Sequence, residues 1–145
     1  MDLGFQAVTQ ENWEECIDME VLKEQREFVA SNAYSLVQAQ YMEGLYPLCI
    51  YDGDQMVGFL MWEEDKEDQD LGMCRLMIDK KFQKRGYGRA AVIKLMDLVR
   101  EKYGHVPFYT SFESENTVAG KLYMDLGFTK TGDLIGDEIV LMAQL

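Results

Sequence analysis

The densest chemistry in the chain lies in Gln83-Lys84-Arg85-Gly86-Tyr87-Gly88-Arg89-Ala90, set between a β-like run and a long helical pattern. Its two glycines let the backbone approach a ligand with no Cβ in the way. A helix starting beside them presents unpaired N–H groups and the positive end of its dipole, and both suit phosphate. Lys84, Arg85 and Arg89 add full charges to that array. A plain strand–helix turn with solvated basic residues would explain any one of these features. Their coincidence at a helix start points to an anionic, phosphate-bearing ligand.

Spacing narrows the ligand. Gly86-x-Gly88-x-x-Ala91 fits the dinucleotide pattern G-x-G-x-x-G/A. That pattern should follow its strand at once and meet an acidic ribose reader ~20 residues later, at the end of a second strand. Here residues 79–85, four of them basic, separate Ile78 from Gly86, and Asp97 and Glu101 fall inside the helix. The dinucleotide reading is weak, and no G-K-[ST] is present for a P-loop.

With Gln83-x-x-Gly86-x-Gly88 followed by Asn116-x-x-Ala119-x-x-Leu122-Tyr123-x-x-x-Gly127-Phe128, the chain resembles the GNAT superfamily of N-acetyltransferases. The two motifs stand in the family's order with one strand between them, and the resemblance covers roughly residues 3–144. It implies acetyl-CoA as co-substrate and a mixed α/β (α+β) fold with a mostly antiparallel central sheet flanked by helices. Carried over residue by residue, it implies that Lys84, Arg85, Gly86, Tyr87, Gly88, Arg89 and Ala90 offer backbone N–H groups to the pyrophosphate, with Gln83 opening the motif. The strand backbone at Leu76, Met77 and Ile78 would pair with the pantetheine arm. Asn116 would cap its helix and hydrogen-bond that arm near its thiol end, Ala119 would stand with it among the cofactor-binding residues, and Tyr123 would protonate the departing thiolate.

The chemistry asked of those residues is consistent. Acyl transfer from a thioester to an amine needs no metal and no covalent enzyme intermediate. It needs the amine in line with the carbonyl, an oxyanion donor and an acid for the sulfur. A tyrosine, with an ordinary pKa of about 10, serves as that acid. Tyr123 also shares an apolar helix face with Leu122 and Leu126, so a core role competes; a tyrosine can pack along its ring and work at its tip. His105, the sole histidine, makes a triad or a His-based metal site improbable, and Cys74 reads as a small buried residue rather than a nucleophile.

For the acceptor, Val21-x-x-x-Gln25-x-x-Phe28-Val29-Ala30-Ser31-Asn32-x-x-Ser35-Leu36-x-x-Ala39 is similar to bacterial spermine/spermidine acetyltransferases. The implied acceptor is a cationic small-molecule amine, steered by Glu20, Glu24, Glu27, Glu63, Glu64 and Glu113. Relatives of that subgroup carry an acidic residue where Cys74 stands, which leaves the general base open; Glu27 and Glu113 are the candidates. Two alternatives stand beside the polyamine: another acceptor, such as an antibiotic, an amino acid or a protein N-terminus, and a non-catalytic acyl-CoA sensor or partner-binding domain.

The supporting elements follow from periodicity. A strand over Leu3–Val8 precedes a helix capped by Thr9, and a second helix ends at Gly44. A hairpin turns at Asp52-Gly53-Asp54, and residues 63–70 form a polar loop. A strand over Gly72–Asp79 leads into the loop and a helix ending at Gly104, whose apolar face includes Leu98. A strand over Val106–Phe112 precedes the Asn116 helix, with Val118 on its apolar face, and strands at 128–132 and 138–144 close the chain. All 145 residues read as a single domain of ordinary size.

The net charge of −12 is unevenly shared. Residues 71–104 hold nine basic and three acidic side chains, leaving −18 on the remainder. Such an acidic body repels nucleic acid. No apolar run nears the ~20 residues of a membrane span. With no leader-like start and three isolated cysteines, the expected location is cytoplasmic. A homodimer paired through the strand at 138–144 is a further expectation.

Overall fold

A computed structural model describes residues 1–145. In chain order the elements are β1 (Leu3–Ala7), α1 (Trp13–Asp18), a 3-10 turn (Lys23–Gln25), α2 (Asn32–Tyr41), β2 (Leu45–Asp52), β3 (Gln55–Glu64), β4 (Leu71–Ile78), α3 (Tyr87–Tyr103), β5 (Pro107–Glu113), α4 (Thr117–Asp125), β6 (Thr129–Ile135) and β7 (Glu138–Gln144). The strands form one seven-stranded sheet in the order β1-β2-β3-β4-β5-β7-β6. Every neighbouring pair is antiparallel except β4–β5. This is the mixed, mostly antiparallel sheet expected above.

Alternation along the strands gives the sheet two buried faces. One carries Ile50, Val57, Leu60, Phe108, Phe112 and Leu141 against Ala91, Val92, Leu95 and Val99 of α3 and Tyr123 of α4. The other carries Cys49, Tyr51, Phe59, Met61 and Met77 against Cys16 of α1, Met19, and Leu36 and Ala39 of α2. Methionine is prominent in this second core, where its flexible thioether fills irregular space.

One irregularity positions the site. β4 and β5 pair at only two places, Leu71↔Phe108 and Gly72↔Tyr109. β3 continues along the whole other edge of β4, with a register shift at Met61/Trp62 opposite Cys74. Leu71 and Met73 before that bulge face α3 and α4; after it, Leu76 and Ile78 do. An extra residue in a strand exchanges its faces in this way.

Several local expectations are corrected. Thr9 does not cap α1: its hydroxyl accepts from Glu11 N, an earlier turn forms, and Asn12 becomes the N-cap. α2 ends at Tyr41 because Met42 is already extended, and Gly44, at φ +81°, only turns the chain into β2. Glu63 and Glu64 belong to β3, paired with Gly72 and Leu71, so the polar loop begins at Asp65. Leu98 and Val118 face solvent. The strand 138–144 has no free edge, because β6 covers it, so two copies do not pair through it. No helix is long and apolar enough to cross a membrane.

Candidate functional site

Past Gly72 and Tyr109, β4 and β5 diverge, and a cavity of about 900 Å³ opens between them. Its walls include Met73–Ile78 of β4, Thr110–Glu113 of β5, Glu138 of β7 and Gly86–Gly88. Asn116, Ala119, Leu122 and Tyr123 come from α4, and residues 21–22 and 24–30 from the segment before α2. The space therefore reaches from the α3/α4 side of the sheet to the α1/α2 side.

The glycine loop is built around main-chain donors. Gly86, at φ +87°, takes the left-handed conformation that glycine tolerates best and is the N-cap of α3. Lys84 takes a positive φ of 63° as well. From Gln83 through Arg89 no backbone N–H is donated within the protein; the first that is comes from Ala90, to Gly86 O at 3.1 Å. The free array thus ends one residue earlier than expected, because Ala90 is already inside the hydrogen-bonded helix. Such consecutive unpaired donors at a helix start are a seat for a pyrophosphate.

Side chains around the loop hold its shape. The Gln83 amide donates to Ile78 O at 2.9 Å and exchanges hydrogen bonds with the Gln25 amide at 2.8 and 3.1 Å. Lys80 N donates to Glu20 O at 2.7 Å. Tyr87 packs edge-on to Phe82, and its hydroxyl donates to Asp52 Oδ2 at 2.6 Å. That carboxylate pushes the Tyr87 pKa up. Tyr87 therefore braces the loop on the β2–β3 hairpin, and only its main chain is left for a ligand. Arg85 lies over the Phe82 ring at 5.6 Å. Lys84, Gly86, Tyr87 and Gly88 line the cavity, whereas Arg85, Arg89 and Ala90 sit outside its wall.

On α4, Asn116 is the N-cap: its side chain accepts from Ala119 N at 3.4 Å, and its Nδ2 donors have no protein partner. Tyr123 is 6% exposed, its ring edge-on to Phe128. Its hydroxyl lies beside Thr110, and the residue lines the cavity. Neighbouring Thr110 gives its own proton to Met73 O at 3.0 Å. Burial pushes the Tyr123 pKa up to about 12, with Thr110 opposing the rise and Glu138 adding to it.

Cys74 is the bulge residue, its thiol donating to Met61 O at 3.4 Å. Burial, with Glu63 beside it, pushes its pKa up to about 12, so the nucleophilic thiolate is suppressed. Arg75 is tied to Gln38 of α2 at 3.0 Å and to Cys74 O, while its buried Nε has no partner. His105 contacts Leu145 O and lies away from the cavity.

Of the expected acceptor-side residues, Glu24, Glu27 and Glu113 line the cavity; Glu20, Glu63 and Glu64 do not. Glu20 is instead paired with Lys80 at 2.9 Å. Sequence reading missed Glu138, because its place depends on β7 inserting between β5 and β6. Its signal was a carboxylate opening a strand beside a glycine turn, which by itself selects nothing.

With this geometry in place, a family model described as the acetyltransferase (GNAT) family matches residues 5–128. The chain is 28% identical over 152 aligned positions to a probable spermine N(1)-acetyltransferase of Bacillus subtilis subsp. natto (strain BEST195). It is 27% identical to the spermine/spermidine N(1)-acetyltransferase of Bacillus subtilis (strain 168), and each alignment covers 100% of both chains. In structure it resembles PaiA N-acetyltransferase from Thermoplasma acidophilum in complex with coenzyme A, with a TM-score of 0.75 at 15% identity, covering 100% of both chains.

Proposed function

The chain belongs to the acetyltransferase (GNAT) family, and from that premise we propose that it moves an acetyl group from acetyl-CoA to a primary amine of a polyamine such as spermidine or spermine. The observation that carries the reading is a cavity running through the sheet that holds two opposite chemistries. The unpaired N–H groups of the glycine loop border it, and so do five glutamates, Glu24, Glu27, Glu113, Glu115 and Glu138. The relatives named for spermine and spermidine acetylation, aligned over the full chain, favour a polyamine among possible amines.

The residues present fit the co-substrate. The N–H array takes the pyrophosphate, with Lys84 beside it, and Gly88 leaves room for close approach. The edge of β4 that β5 leaves unpaired, along Leu76, Met77 and Ile78, offers main-chain partners to an amide-bearing arm. Asn116 Nδ2 offers one more. Bound there, acetyl-CoA supplies an activated acetyl thioester. Tyr123 keeps its proton at neutral pH and holds it where a leaving sulfur needs it. Glu24, Glu27 and Glu113 steer the cation and hold its distal ammonium groups. This reading places the enzyme in the cytoplasm.

The test is thiol release from acetyl-CoA with spermidine, beside a buffer blank and an uncharged amine. Spermidine-dependent release is expected, falling several-fold from low to high salt as screening weakens the glutamates. No release with coenzyme A binding intact overturns the polyamine reading and points to another acceptor or a sensor role. Cys74→Ala is expected to keep kcat within about three-fold, since truncating a protonated thiol removes packing rather than a nucleophile. A loss beyond ~100-fold in steady-state assays would mean a covalent route.

A further inference from the structure

Five carboxylates line the cavity, Glu24, Glu27, Glu113, Glu115 and Glu138, and only Glu138 is fixed by a hydrogen bond, from Ser111 Oγ to its Oε1 at 3.1 Å. Ile139, Leu141 and Ala143 of β7 pack into the core beneath α3 and α4. Alternation therefore sets Glu138 on the opposite, α1/α2 face. Phe108 and Phe112 of β5 face that same core, which sets Ser111 and Glu113 on the face of Glu138. Glu113 and Glu138 are direct register partners. Two carboxylates opposed across antiparallel strands repel unless a cation or a proton lies between them.

Across the sheet from this pair lies an acid. The Tyr123 ring is buried on the α4 side, and the residue lines the cavity with its hydroxyl beside Thr110. The cavity thus has an acid on one face of the sheet and a fixed carboxylate on the other, the arrangement that transfer along a line through the sheet requires. We propose that Glu138, seated by Ser111 and opposed by Glu113, holds the acceptor ammonium and takes its proton, so that the amine attacks from the side opposite Tyr123.

The step balances. The ammonium gives one proton to Glu138, and the freed nitrogen lone pair forms a C–N bond to the acetyl carbon. The C–S bond breaks, its electron pair goes to sulfur, and Tyr123 protonates that sulfur. The nitrogen sheds its second proton to restore Tyr123 through solvent, and the proton on Glu138 is released. The net products are the acetamide, the thiol and one proton. Glu27, exposed and without a fixed contact, then steers rather than deprotonates.

This assignment rests on the acetyl-transfer reading above, and the experiment separates the two. Spermidine acetylation is followed against pH in the wild type, Glu138→Gln and Glu113→Gln, with coenzyme A affinity and spermidine binding to the coenzyme A complex measured by calorimetry. Glu138→Gln is expected to lower kcat about 100-fold near neutral pH. The deficit should shrink as pH rises and free amine appears, with coenzyme A affinity unchanged. Glu113→Gln is expected to act mainly on KM. A wild type that acetylates spermidine while Glu138→Gln keeps its kcat and pH profile overturns the assignment alone. A wild type that neither acetylates nor binds spermidine overturns both readings. Binding without turnover decides by affinity: a ten-fold loss in Glu138→Gln supports the ammonium seat, and an unchanged affinity removes it.

Discussion

Tyr123→Phe lowers kcat by about 10²–10⁴-fold, the range for one positioned acid, with coenzyme A affinity and melting temperature essentially unchanged. The ring carries the packing against Phe128, and phenylalanine keeps it. The neighbouring Thr110 already donates to Met73 O, so loss of the hydroxyl strands no buried donor. A change in kcat without a change in stability or ligand affinity separates the acid from the core aromatic that its helix face also suggests. The pH dependence follows from the same burial. A tyrosine raised to about 12 stays protonated well past neutrality, so the wild-type rate should show no alkaline limb from this group below pH ~11. For stability the sign runs the other way above the ordinary pKa of about 10: the unfolded chain ionises first, and folding weakens as pH climbs from there toward 12. An alkaline limb centred near 10 in kcat, or full activity in Tyr123→Phe, would remove Tyr123 from the mechanism.

What the sequence revealed of this site tracks how local each feature is. The Gln83–Arg89 donors depend on a glycine in the left-handed region at the start of α3, and both marks are written within a few residues. Asn116 and its cap to Ala119 N are likewise a three-residue matter. Tyr123 was legible because its motif surrounds it, although the closeness of Thr110 to its hydroxyl was not. Features that depend on distant pairing were hidden. Tyr87 keeps its main chain in the ligand loop, but the β2–β3 hairpin that brings Asp52 to its hydroxyl lies 35 residues away and leaves no local mark. The closing strand looked like an open edge until β6 folded back across it. Glu138 meets Glu113 only because β7 inserts between β5 and β6, an order that no local periodicity encodes. The bulge at Cys74 was hidden for the same reason. It exists as a mismatch of register between β3 and β4, and it turns Leu76 and Ile78 toward the α3/α4 face.

The apex of the cleft rests on two register pairs, and Gly72→Ala tests it. A Cβ on Gly72 would stand 2.7 Å from Tyr109 O and 3.3 Å from Tyr109 C, so the obstacle is backbone and cannot swing aside. Gly72↔Tyr109 is one of only two places where β4 and β5 pair. A longer ladder would spread the displacement over many hydrogen bonds; here one remaining pair, Leu71↔Phe108, must absorb it. Just past the apex, Thr110 Oγ1 donates to Met73 O, a bond that the same displacement stretches. Overpacking of this kind costs about 1–3 kcal/mol. In a chain of this length that lowers the melting temperature by about 2–4 °C per kcal/mol. Coenzyme A affinity should fall by an order of magnitude, because the cleft widens where the arm is to be gripped. Gly88→Ala is the control for separating the scaffold from the ligand. Its Cβ would lie 3.8 Å from Ile78 and 3.9 Å from Leu122, ordinary contacts, in a helix that prefers alanine. That variant should be at least as stable as the wild type, so any affinity it loses reports clearance at the bound arm alone. Equal melting temperatures for Gly72→Ala and the wild type would mean that β4 and β5 are held apart by their helices rather than joined at Gly72.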